Sequence, residues 1–145
     1  MKIHSISKFV SVMLIALAIL SYFVGFYLDE NSAGAGGYEG DFDDIWNNLQ
    51  IFLKNDLISS IGHSEYDDSR TPIAYILHEN LNPFIKDKVS YRKSVFVVSI
   101  LLPILFYICL KQKFEDKENL LLILLASIIF LSPYFRTSAY WGLEE

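Results

Sequence analysis

The chain has 145 residues, of which 52% are hydrophobic and 20% charged, with a formal net charge of −5. An acidic balance excludes nucleic-acid binding as the main role, because that needs a basic face to neutralise phosphates. The single cysteine, Cys109, excludes a disulfide framework and a cysteine-based metal site.

Residues 9–28 carry no charge and match the ~20 residues a helix needs to cross hydrocarbon. A secretory signal peptide competes, since Ala33-Gly34-Ala35 resembles a small-residue cleavage site. The apolar run exceeds the usual ~7–15 residues, and Asp29 and Glu30 intervene, so an uncleaved helix is the preferred reading. Lys2 and Lys8 before it and acids after it predict a cytoplasmic N-terminus. Residues 29–93 then form a long extracytoplasmic loop. Lys86, Lys88, Arg92 and Lys93 oppose that orientation, but long loops largely escape the positive-inside rule.

Asn31 to Gly40 reads as a flexible linker, without the G-x-x-x-x-G-K pattern of a phosphate cradle. From Asp41 to Ser59, Ile45, Leu49, Phe52 and Leu53 recur at helical spacing, with Asn47, Asn48, Lys54 and Asn55 on the other side. This predicts an amphipathic surface helix. Thr71-Pro72 predicts the start of a second one and Asn82-Pro83 its end, with Ile73, Ile76, Leu77 and Leu81 as its stripe. Residues 94–110 and 119–135 are two further apolar runs, joined by a turn carrying Lys111, Lys113 and Lys117. They predict a membrane hairpin with its turn in the cytoplasm and Pro103 tolerated as a kink. The predicted fold is therefore all-α, with three transmembrane helices (9–28, 94–110, 119–135). One long outer loop carries two short amphipathic helices, and a second outer loop begins at residue 136.

Gly40-Asp41-Phe42-Asp43-Asp44-Ile45-Trp46 sets three carboxylates in four residues. Asp41 and Asp44 have the spacing of a capping box, which leaves Asp43 without a structural role. Acids beside a helix N-terminus stay ionised and can serve as a general base. The three could also ligate a divalent cation. Arg70, before Thr71-Pro72, suits either a phosphate or a surface ion pair with Asp67 or Asp68. Arg136, among Tyr134, Tyr140 and Trp141, suits an interfacial anchor, a lipid phosphate, or a pair with Glu144 or Glu145.

Taken in order, these features resemble the N-terminal part of a GT-C glycosyltransferase, the multi-pass enzymes that take sugars from polyprenyl-phosphate carriers. Asp43-Asp44 stands where many members have an acidic pair ahead of a surface helix. Arg70-Thr71-Pro72-Ile73-Ala74-Tyr75 resembles their basic residue before Pro-Pro-Leu-x-Tyr. Leu131-Ser132-Pro133-Tyr134-Phe135 resembles their Leu-Ser-Pro-aromatic run. The chain departs from the pattern in having Thr71-Pro72 for Pro-Pro and a further Asp41. The family also has many more membrane helices and usually a C-terminal domain, so the 145-residue chain alone is expected to be inactive.

The resemblance implies Asp43 as the base, with Asp44 orienting it or helping to hold a metal. It implies Arg70 and Arg136 at the carrier phosphate, Tyr75 in the same motif, and Glu144 or Glu145 as a second acid. The implied donor is a polyprenyl-phosphate-linked sugar, and the acceptor a hydroxyl of a lipid, glycan or protein outside the cell membrane. The alternative from another class is a small non-catalytic membrane protein that docks or regulates a larger complex. An exported soluble chain ranks lowest, because its later apolar runs would be left exposed.

Overall fold

The computed structural model describes residues 2–31, 37–66 and 72–143. The regular structure of the described residues is all helical, and they contain no strand. Two of the helices are long and apolar enough to cross a membrane.

Helix α1 spans Lys2–Tyr27, and its apolar part, Ser7–Tyr27, has 21 residues, or about 31 Å at 1.5 Å per residue. Phe9, Val12, Leu14, Leu17 and Leu20 point outward from it, while Ala18, Tyr22 and Phe26 turn inward. The end of α1 is tied by a Schellman arrangement. Glu30 N–H donates to Gly25 O at 2.9 Å and Asp29 N–H to Phe26 O at 3.3 Å, with Asp29 in the left-handed region at φ 52°. That position usually falls to glycine, and aspartate is among the few side chains that tolerate it.

Helix α2 runs Gly37–Lys54, so it begins four residues before the predicted start. Asp41 consequently lies in its second turn and is not its N-cap. The predicted helix does not continue to Ser59 either. It stops at Lys54, and Asp56 caps a separate short helix α3, Leu57–Ile61, by accepting from Ile58 and Ser59 N–H, each at 3.1 Å. Helix α4 is Ile73–Leu81, closed at Asn82 as predicted, with Pro72 one position ahead of its expected place.

The second long helix starts six residues earlier than expected and runs Lys88–Lys113. A break at Ile100 divides it into α5, Lys88–Ser99, and α6, Leu101–Lys113. Pro103 accounts for the break, since it has no N–H to offer Ser99 O and its ring crowds that carbonyl. Its start is fixed by Asp87, whose carboxylate accepts from Ser90 N–H at 2.9 Å and Ser90 Oγ–H at 2.8 Å.

The predicted 119–135 helix is interrupted. Helix α7, Asn119–Ser127, passes into a 3₁₀ turn at Ile128–Leu131, and the chain then bends by 64° into α8, Pro133–Trp141. Proline at the first position of α8 and Ser132 Oγ, accepting from Phe135 N–H, make this a helix start in place of a continuation. The residues expected to open a second outer loop are thus largely helical up to Trp141. Gly142 ends α8 at φ 65°, with Tyr91 so close that a Cβ there would lie 3.2 Å from its ring.

The long helices run in opposite directions. Ser7, Lys8 and Ser11 lie beside the 116–121 turn at one end, and Phe26 stacks on Phe96 with centroids 4.0 Å apart at the other. At that second end α2, α4 and α8 are packed together. The core there is aromatic: Tyr22 meets Phe96, Phe130, Phe135 and Tyr140 at 4.9–5.5 Å. Phe42 and Trp46 of α2 pack on Tyr91, and Phe52 on Tyr75.

Candidate functional site: a polar groove on α2

Helix α2 has two opposed faces. Phe42, Ile45, Leu49 and Phe52 are buried in the core. Asp44, Asn47, Asn48, Ile51 and Asn55 share the other side and line a groove of about 560 Å³. Gln50 and Lys54 form part of its rim, and His63 and Glu65 close it from the loop after α3.

The loop is folded back for identifiable reasons. Ser60 Oγ–H donates to Ile51 O at 3.3 Å, His63 N–H to Ser60 O at 3.2 Å and Tyr66 N–H to His63 O at 3.0 Å. The Tyr66 ring then meets Phe52 edge-on at 5.4 Å. Glu65 N–H donates to His63 Nδ1 at 3.2 Å, which fixes that ring against the groove. Four carboxamides (Asn47, Asn48, Gln50, Asn55) therefore face two carboxylates, one ammonium and one imidazole. Asn48 is buried, and Gln50 Nε2 is buried without a hydrogen-bond partner. Each carboxamide offers donors and an acceptor together, so the lining can bind groups that also do both.

The three acids of the motif separate. Asp44 lines the groove. Asp43 is not part of that lining and pairs with Lys88 at the start of α5, Nζ to Oδ1 2.5 Å. Asp41 is exposed on α2. Among the described residues no three His, Cys, Asp or Glu side chains are grouped so as to hold a metal ion. The proposed cation site at Asp41, Asp43 and Asp44 is therefore not formed.

Tyr75 is fully buried and stacks on Phe52 at 5.3 Å, a core residue and not a groove residue. Arg70 and Glu144 lie outside the described residues. Arg136 is buried on α8, and its partners are internal. Nη1 donates to Ser21 Oγ at 2.8 Å, Nη2 to Ser21 O at 3.1 Å, and Nη2 also pairs with Glu30. Gly25 makes room for this guanidinium, since a Cβ there would collide with Nη2.

A second arginine joins the same end. Arg92 Nη2 sits 2.6 Å from Asp29 Oδ1, and its guanidinium covers Trp141 at 4.2 Å and Phe26 at 5.0 Å. Its Nε donates to Tyr140 O. Sequence reasoning counted Asp29 and Glu30 only as flanking charges and missed both pairs. The partners lie far apart in the chain, and the one local signal was two acids directly after an apolar helix.

His78 on α4 accepts from Asn82 at 3.1 Å, if Nδ1 is unprotonated, and its ring meets Tyr91 edge-on at 4.9 Å. Burial lowers its pKa, because the charged imidazole loses water. No family model, curated protein or solved structure matches the chain.

Proposed function

We propose that this chain is part of a membrane glycosyltransferase of the GT-C type, and that the α2 groove is where the acceptor meets its base. The observation carrying this reading is the groove itself: two carboxylates among four carboxamides, at the end of two helices able to cross a membrane. The resemblance of the motifs around Asp43-Asp44, Arg70 and Ser132-Pro133 supplies the reaction. In this reading Lys8 and the 111–117 turn lie in the cytoplasm, α2 lies outside, and the bent α7–α8 pair makes the third crossing.

The base must lie where a hydroxyl can reach it. Asp44 lines the groove, whereas Asp43 is engaged by Lys88. We therefore assign the base to Asp44 and give Asp43, which the resemblance alone favours, the role of anchoring α2 to α5. The acceptor O–H proton passes to the Asp44 carboxylate as the oxygen attacks the anomeric carbon. The bond from that carbon to the carrier phosphate breaks, and the phosphate leaves with the electron pair. Arg70 is the cation that the resemblance sets beside it, where negative charge develops. Arg136 is committed to Glu30 and Ser21, and in this reading it holds α8 to α1.

The test is sugar transfer in membranes containing the full gene product, at matched protein levels. Asp44→Asn should lower transfer about 10²–10⁴-fold, the usual range for a general base, and Asp43→Asn far less. Loss in Asp43→Asn alone would reverse the assignment. Full activity in both variants would remove the glycosyltransferase reading.

A further inference from the structure

We propose that the α2 groove is a subsite for a neutral, polyhydroxylated saccharide and that it excludes the anionic end of a donor. This deepens the transfer reading and rests on it only for the role of the bound sugar in a reaction. The assignment of ligand class comes from the lining.

Sugar hydroxyls donate and accept at once, and so do carboxamides, which can bridge two neighbouring hydroxyls from one side chain. Asn47 and Asn48 stand side by side on the groove face, with Gln50 at the rim. Gln50 is half-buried at that rim, with its Nε2 turned out of reach of solvent, so a turn of its amide would bring a donor or an acceptor to the groove.

Charge narrows the class further. Among the described residues Asp44 and Glu65 line the groove with one cation, Lys54, so a phosphate or carboxylate entering it would meet more like charge than opposite charge from them. Among the described residues Ile51 is the one apolar side chain in the lining, so polar side chains predominate where an acyl chain or a hydrophobic peptide residue would need apolar ones. The volume of about 560 Å³ falls within the ~300–1,000 Å³ of small-ligand sites.

The direct test incubates the full chain, in lipid nanodiscs, with an array of immobilised neutral and phosphorylated saccharides. Retention on neutral saccharides is expected. Asn47→Ala, at an exposed position, and Gln50→Leu should each weaken it about tenfold, the effect of losing roughly 1.4 kcal/mol of hydrogen bonding. Lys88→Met, outside the groove lining, should leave it unchanged. Failure to retain any neutral saccharide, preference for phosphorylated ones, or undiminished retention by both groove variants would overturn the proposal.

The two readings fail separately. Neutral-saccharide binding by a full gene product that transfers no sugar would sink the transfer reading and leave the subsite standing. Transfer with unaltered KM for acceptor in the Asn47→Ala, Gln50→Leu double variant would do the reverse.

Discussion

The end of the molecule that carries α2 has two regions of opposite construction. Around Tyr22, aromatic rings and two arginine–carboxylate pairs fill the space between α1, α5 and α8. Tyr140 Oη donates to Tyr22 O at 2.6 Å, and Tyr22 Oη lies 2.5 Å from Ser99 Oγ. On the far side of α2, polar groups stand around an open groove. One region fixes the relative positions of the helices, and the other carries groups that this packing does not use. Such a division is what a binding site on a rigid support requires.

Substitutions should separate the two regions cleanly. Tyr22→Ala, in the fully buried collar, should cost about 3–5 kcal/mol, as removal of a large core ring does. Arg136→Met should cost about 2–3 kcal/mol, below the range for wholly buried pairs because Glu30 keeps 36% of its side-chain surface exposed. Gly25→Ala should cost about 1–3 kcal/mol through the forced approach to Arg136 and Tyr140. Thermal or denaturant unfolding in detergent measures all three. By contrast Asn47→Ala should stay within about 0.5 kcal/mol of wild type. An unstable Asn47→Ala, or a Tyr22→Ala as stable as wild type, would erase the contrast.

The smaller effects lie between the regions. The lowered His78 pKa means that the unfolded chain binds its proton more readily than the folded one. The resulting stability is complete above the ordinary histidine value of 6.5 and falls as pH drops below it. His78→Gln should flatten that acid-side loss, which melting curves between pH 7.5 and 5 would register. Lys88→Met breaks an exposed pair, with 42% and 51% of the two side chains accessible, and should change stability by less than about 1 kcal/mol.

Much of the helix content was legible because it depends on local pattern. The uncharged stretch 9–28 and the apolar run before Lys111 marked the two long helices, and Asn82-Pro83 marked the end of α4. The start of α2 was misread because its first turn contains Gly37 and Gly40, residues that favour a linker on local grounds. Packing of Phe42 on Tyr91 and Trp141 outweighs that preference. The bend at Ser132 was hidden because Ser132-Pro133 falls inside the continuous apolar run 119–135, where apolarity alone does not mark the cap of a new helix. Asn47, Asn48, Lys54 and Asn55 were recognised as a polar face. That they line a groove depends on His63 and Glu65 returning from beyond α3, and no periodicity records such a return. The pairing of Arg136 with Glu30 across 106 positions was invisible for the same reason.

Gly25 has a consequence for how the whole chain sits among lipids. It is the point on α1 where the Arg136 guanidinium lies against the helix backbone. Rotating α1 by one residue, about 100°, would bring Val24 or Phe26 under that guanidinium, where neither fits. The missing side chain thus sets the rotational phase of α1 about its own axis. Phe9, Leu14, Leu17 and Leu20, one to four turns away, inherit that phase and keep their outward direction.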